Sequence, residues 1–341
     1  MLTKIRTRRK LTPKNKLSGR SHPDKFNVEN IWRKPAQQKS RLSCFKANHK
    51  TYFIMKNKTP ISLFAFAMAL IFVANSAFGQ ETASEKVKQL WATDQVFLVP
   101  ESVYYDANNQ VLYVANINGK SNDKDSNGFI SAMEPDGRIT RLEWVTGLHA
   151  PKGMAMLGDR LFVADVDRVA EIDIPKRTIV KFYEANNAEF LNDCIVGDEG
   201  RIYITDMKTG AIYRIADGEI EAWLPAGTFD SPNGINYRDS FLYVGVNGKI
   251  IRIDPSNKIQ KVIAEFDGGV DGLEIDKSGN FIFSDWSGLV RRVTPGGKPE
   301  VLFNTTDEKV NAADIHLMVD ENILLVPTFF DNRVVAYKIL D

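Results

Sequence analysis

The chain reads as an all-β protein, a six-bladed β-propeller of four-stranded blades, and three observations predict it. A polar residue, then a short side chain, then an apolar strand recurs at Pro100-Glu101-Ser102-Val103, Pro151-Lys152-Gly153-Met154, Leu191-Asn192-Asp193-Cys194, Pro232-Asn233-Gly234-Ile235, Val270-Asp271-Gly272-Leu273 and Ala313-Asp314-Ile315. Successive polar positions are spaced by 51, 40, 41, 38 and 43 residues, which is the period of a four-stranded propeller blade rather than of a helical repeat. Each unit also carries a second strand-like run close behind the first, such as Leu112–Asn116, Leu161–Asp165, Ile202–Asp206 and Phe281–Asp285.

These second runs are rich in aliphatic, aromatic and β-branched residues and bounded by turns such as Asp198-Glu199-Gly200 and Lys277-Ser278-Gly279-Asn280. Third strands follow at residues 210–215, 248–254 and 289–293, so each unit is a meander. A blade buries its faces only against neighbouring blades, which is why the unit must repeat and close. After Asp314 there is room for three strands. The fourth is therefore expected from the start of the domain, where Asp94–Val99 is apolar, so that an N-terminal strand closes the ring in the last blade.

Ahead of the propeller the composition changes twice. Residues 1–54 hold 15 Lys or Arg against Asp24 and Glu29 alone, and read as a basic disordered extension or a mis-assigned start. Residues 55–79 begin at a second Met, run through an apolar stretch from Ile61 to Ala74 and end on Ala77-Phe78-Gly79, the pattern of a signal peptide cleaved before Gln80. A periplasmic or secreted protein is expected. The remaining 80–341 form the propeller domain.

Removing the leader leaves 27 basic and 41 acidic residues, a net charge of about −14. Such a surface repels nucleic acid and anionic membrane, and neither is expected as a partner; a protein partner is left open. One cysteine remains, Cys194, which rules out an internal disulfide and reads as a buried structural thiol. The same region has only His149 and His316, no Gly-x-Ser-x-Gly elbow and no Gly-x-Gly-x-x-Gly loop. Zinc chemistry, a hydrolase serine and a dinucleotide fold all lose support.

Oxygen-bearing side chains at the blade starts remain. The first strand of each blade lines the central channel, so Glu101, Asn192, Asn233 and Asp271 are expected to face a common point. Two carboxylates and two amides form a hard all-oxygen set suited to Ca²⁺, or to Mg²⁺ or Mn²⁺ with added waters. Asn, Asp and Gly also start strands for purely conformational reasons. Four oxygen donors at equivalent positions of one ring are what single out a site. Lys152 and Asp314 take the other two positions and read as substrate contacts, Lys152 being no ligand while charged.

Pro100-Glu101-Ser102, Leu191-Asn192-Asp193, Pro232-Asn233-Gly234 and Val270-Asp271-Gly272 resemble the motifs of the senescence marker protein, gluconolactonase and luciferin-regenerating enzyme family, over roughly residues 95 to 340. The resemblance implies one divalent cation in the channel, held by Glu101, Asn233 and Asp271, with Asn192 on its substrate side. It implies metal-assisted hydrolysis of a lactone or related ester, with Asp271 as the candidate base. Two positions depart from the family pattern: Cys194 replaces a glycine, and Phe190 stands where sugar lactonases carry an arginine. The resemblance thus carries the metal site further than sugar-lactone specificity. A non-catalytic propeller that binds a protein or carbohydrate is the alternative reading.

Residues 123–134 match the twelve-position EF-hand loop, with Gly128 sixth and Glu134 twelfth, but strands rather than helices flank it. A calcium-stabilised hairpin loop using Asp123, Asp125 and Asn127 is the expectation there. Phe329 and Phe330, with an ion pair expected between Asp331 and Arg333, read as packing at a strand turn in preference to a substrate-binding rim.

Overall fold

A computed structural model describes residues 86–340, and within them the chain forms six four-stranded antiparallel sheets arranged as six blades. The innermost strands are Pro100–Asp106, Pro151–Leu157, Leu191–Val196, Ile235–Arg238, Leu273–Ile275 and His316–Met318. Five blades are simple meanders in chain order. The sixth combines His316–Met318, Ile323–Pro327 and Val334–Ile339 with an outermost strand, Val87–Ala92, from the other end of the described chain. The basic extension and the expected leader lie outside the described residues.

The N-terminal closure expected from sequence is therefore present, but the segment is Val87–Ala92 and not Asp94–Val99. Val87 pairs with Ile339 and Ala92 with Val335, and the pairing ends where Thr93 exchanges bonds with Val334 at 3.0 and 3.1 Å. Beyond it the chain turns, with Val99 in the left-handed region at φ 57°. Phe97 instead plugs the core, 1% exposed, while Val96 and Leu98 point outward. The hydrophobic pattern of 94–99 marked a buried anchor rather than a strand, a distinction that periodicity cannot draw for so short a run.

Apolar packing follows the ring. Six clusters of buried residues each span two neighbouring blades, for example Tyr113, Ile130 and Trp144 of blade one with Met154 and Leu161 of blade two, or Leu302 and Val290 of blade five with Leu317 and Leu324 of blade six. No blade has a core of its own, so removing one exposes two faces.

The short residue after five of the six polar ones has a packing reason. A Cβ on Gly234 would lie 2.6 Å from the carbonyl oxygen of Asp271, and one on Gly272 would meet the backbone nitrogen of Ile315. Here neighbouring innermost strands leave no room for a Cβ. Where the residue is not glycine, it bonds across the same gap: Ser102 Oγ donates to the Lys152 carbonyl at 2.6 Å, and Asp193 Oδ2 accepts from the Ile235 N–H at 2.8 Å.

Candidate functional site

All six residues at the blade-start positions are buried around the channel: Glu101, Lys152, Asn192, Asn233, Asp271 and Asp314. Local backbone irregularity places the first three. The register of the innermost strand shifts between Pro100 and Ser102, between Pro151 and Met154, and between Leu191 and Cys194. Bulges of this kind re-aim a side chain, here toward the axis.

A second device fixes the segments leading into these positions. The second strands of four blades end in Asn116, Asp165, Asp206 and Asp285, and each accepts backbone N–H groups from the chain just ahead of a site residue. Asn116 Oδ1 takes Leu98 N at 3.0 Å. Asp165 Oδ1 takes His149 N and Ala150 N at 2.7 and 2.9 Å. Asp206 takes Glu189 N and Phe190 N at 2.9 and 3.2 Å, and Asp285 takes Gly269 N at 2.9 Å. Sequence reasoning overlooked this role. The signal was legible in the repeated acid or amide that ends each of these strands.

Within the channel the donors are incompletely satisfied. Glu101 Oε2, Asn192 Oδ1 and Asn233 Oδ1 are buried without a hydrogen-bond partner, whereas Asn233 Nδ2 donates to Asp271 Oδ1 at 2.7 Å. Both amide nitrogens also lie near one sulfur, Met207 Sδ, at 3.7 Å from Asn192 and 3.8 Å from Asn233. Three orphaned oxygens beside a carboxylate would each cost desolvation energy with no return. A divalent cation that favours oxygen ligands would satisfy them, so the donor set fits the group that the sequence motifs imply. Two of the donors are amides, and among the described residues no group of three or more His, Cys, Asp or Glu is placed to hold a metal.

Burial sets the electrostatics of the charged groups in the channel. Burial, then the neighbouring Asp271, pushes the Glu101 carboxyl well above its ordinary value. Burial raises Asp271 to about 7 and Asp193 to about 8. Asp314 is raised as well, by burial and then by Asp193 and Glu101. The Lys152 ammonium is lowered to about 8 by desolvation, a shift that Glu101 opposes. Its Nζ donates to the Ala150 carbonyl at 2.9 Å and lies 4.5 Å from the centre of the Phe190 ring.

A pH dependence follows for protein kept free of metal by EDTA. Below about pH 4 the carboxyls are protonated whether the chain is folded or not. Between there and pH 7 to 8 the folded state keeps protons on Asp271 and Asp193 that the unfolded chain has released. Stability then falls with rising pH, by up to about 1.4 kcal/mol per unit for each such proton. The melting temperature of EDTA-treated protein is expected to be lower at pH 8 than at pH 5; a flat or rising profile would show that these carboxyls ionise freely in the fold.

A cavity of about 350 Å³ opens onto two of the four donors. Asn233 and Asp271 line it together with Met207, Asn247, Asp285 and Trp286. Met207 and Trp286 each follow one of the strand-ending aspartates, which is how they come to face the cavity. Cys194 is 2% exposed, its Sγ 3.4 Å from the Gly153 carbonyl, and burial pushes its thiol up, as befits a structural cysteine.

The loop at Asp123, Asp125 and Asn127 is separate. It is an insertion between the second and third strands of blade one, with Asn127 Nδ2 donating to Asp125 Oδ2 at 2.7 Å and Lys124 paired with Asp167. Glu134 cannot close it, because Gly128–Met133 is a strand and Glu134 lies beyond its far end, paired with Arg138. At the last turn Arg333 does pair with Asp331, at 3.4 Å. Phe329 is buried as packing requires, but Phe330 is 64% exposed.

Comparison with solved structures returns propellers of the same fold. A gluconolactonase from Xanthomonas campestris aligns with a TM-score of 0.58 at 16% identity, over 74% of this chain and 89% of its own. A streptogramin B lyase aligns with a TM-score of 0.56 at 14% identity, over 76% and 99%. A catalytically inactive virginiamycin B lyase of Staphylococcus aureus, solved with quinupristin, aligns with a TM-score of 0.53 at 16% identity, over 75% and 99%. Identities this low establish the fold alone. No curated protein sequence matches. The sequence profile described as the SMP-30/Gluconolactonase/LRE-like region matches residues 99–305, more than half of the chain and the part that carries Glu101, Asn192, Asn233 and Asp271. The chain belongs to the SMP-30/Gluconolactonase/LRE-like family.

Proposed function

We propose that the protein is an exported, divalent-metal-dependent hydrolase of a lactone or related ester. The observation that carries the reading is the set of three buried, unpartnered oxygens of Glu101, Asn192 and Asn233, with Asn233 and its partner Asp271 lining an open cavity. Glu101, Asn233 and Asp271 would hold the cation, Ca²⁺ before the other hard candidates Mg²⁺ and Mn²⁺. When bound, such an ion supplies Lewis-acid polarisation of a carbonyl.

The chain's own groups supply the rest. The Asp271 carboxylate takes the proton of the attacking water. Asn233 fixes its carboxyl through the 2.7 Å bond to Oδ1. Water adds to the carbonyl carbon, the ring C–O bond breaks, and the proton passes to the departing alkoxide to give the hydroxy acid. Asn192, Lys152 and Asp314 surround the substrate side of the channel in this scheme. Export rests on the sequence of residues 55–79.

The test is metal content and melting temperature of protein purified without chelator, before and after EDTA, with a lactone panel on the same samples. Expected are bound calcium, a melting temperature lowered by chelation, and hydrolysis restored by added metal. A metal-free, EDTA-indifferent and inactive protein would instead favour a propeller that only binds a partner.

A further inference from the structure

The cavity above Asn233 and Asp271 has a wall that lactone chemistry does not require. Trp286 lines it and is 43% exposed. Phe330, 64% exposed, stands edge-on against the indole with ring centres 5.8 Å apart and planes at 83°. Beneath both, Phe329 contacts Trp286 at 5.4 Å and Phe330 at 4.8 Å. Phe329 is itself buried among Ile117, Ala150, Val166 and Ala313.

This platform is held at a cost. Phe329 has φ 48°, an uncommon conformation for a bulky side chain. Thr328 pins the turn by accepting the Arg333 N–H at 2.9 Å. Asn311 Nδ2 donates to the Trp286 carbonyl at 2.9 Å, which fixes the opposite strand end. Large exposed aromatics rigidly supported beside a polar floor are the pattern of a ligand pocket.

Charge narrows the ligand further. Asp271 and Asp285 line the cavity and no Lys or Arg does so. Phe190 lies over the Lys152 ammonium, so an aromatic ring covers the nearby buried cation. No basic side chain in the lining pairs with an anionic substituent, and Met207, Val270 and Trp286 supply the apolar part of a lining otherwise made of Ser231, Asn233, Asn247, Gly269 and the two aspartates.

We infer that Trp286 and Phe330 form an apolar subsite that selects neutral lactones bearing an alkyl or aryl substituent, with the carbonyl at the Asn233 and Asp271 floor. The substrate class rests on the lactonase reading, whereas the subsite itself is a binding property that can be measured without turnover. Each buried methylene or ring edge contributes a modest factor, and a seven-carbon chain along two aromatic faces gives a preference of roughly tenfold or more.

The experiment uses two non-hydrolysable probes, δ-valerolactam and its 6-heptyl derivative, titrated calorimetrically into the full chain with calcium present, into Trp286→Ala and into Phe330→Ala. The matching lactones are assayed in parallel. Expected is a Kd at least about tenfold tighter for the heptyl lactam in the parent, a preference that shrinks severalfold in each variant, and the same ordering in the kcat/KM ratio of the two lactones. Equal affinities in the parent, or a preference undiminished in both variants, would overturn the subsite. Binding preference without hydrolysis of either lactone would remove the lactonase reading and leave the apolar subsite standing. Phe330→Ala guards against a folding artefact, because Phe330 is mostly in solvent.

Discussion

Glu101→Gln is expected to lower kcat/KM for any hydrolysed lactone by more than about a hundredfold, since loss of even an outer-shell partner of a metal ligand costs roughly 10- to 100-fold. The substitution keeps the shape and one carbonyl oxygen but removes the charge. In the metal-free protein it should be harmless or mildly stabilising, because burial already pushes the Glu101 carboxyl toward its neutral form. The two expectations pull in opposite directions. A metal ligand loses activity and loses the rise in melting temperature on adding calcium, yet gains or holds stability in EDTA. A residue that merely starts a strand would show neither loss. Undiminished hydrolysis together with an undiminished calcium shift would therefore exclude Glu101 from the site.

The largest structural effect is expected from removing the closing strand. A chain that begins at Thr93 lacks Val87–Ala92, whose pairing with Val334–Ile339 completes blade six. It also loses the burial of Val87 in the cluster between blades five and six, the packing of Trp91 against Gly137 of blade one, where a Cβ would come within 2.9 Å of the indole, and the Lys86 to Glu300 contact at 2.8 Å. The ion pair is exposed and worth little. Burial of an apolar side chain is worth about 1.5–3 kcal/mol, and the freed edge of Val334–Ile339 must be resolvated. A total of about 5 kcal/mol corresponds to a fall in melting temperature of about 10 °C or more for a domain of this size. The exposed edge should also promote association, since unpaired strand edges recruit other chains. An unchanged melting temperature and an unchanged monomer would show that the ring does not depend on this strand.

Much of the architecture was legible before any coordinate. The period of the phrases at Glu101, Lys152, Asn192, Asn233, Asp271 and Asp314 set the blade count, because in a ring of similar units the same local chemistry must recur at each strand start. The ligand candidates followed from the same register, since equivalent positions converge on one axis. What failed was local: Asp94–Val99 and the closing strand Val87–Ala92 are both short, and six residues are too few for alternation to separate a strand from a buried plug. Val87 is inward and its neighbours Lys88, Gln89 and Leu90 are exposed, a pattern typical of an outermost strand that touches the core at one point.

The residues around the site depended on the fold in a different way. Asp165, Asp206 and Asp285 are ordinary acids in the chain, and their role exists only because a second strand ends beside the loop that enters the same blade. Met207 and Trp286 lie 79 residues apart, and nothing local announces that both border one cavity. Sequence alone determined the repeat, the oxygen-bearing side chains at the blade starts and the family, because these are carried by residue type and period. Only the tertiary structure decided which segment closes the ring, which oxygens are left without partners and which aromatics face the cavity, because those depend on the direction of each side chain once neighbouring blades have taken up the other partners.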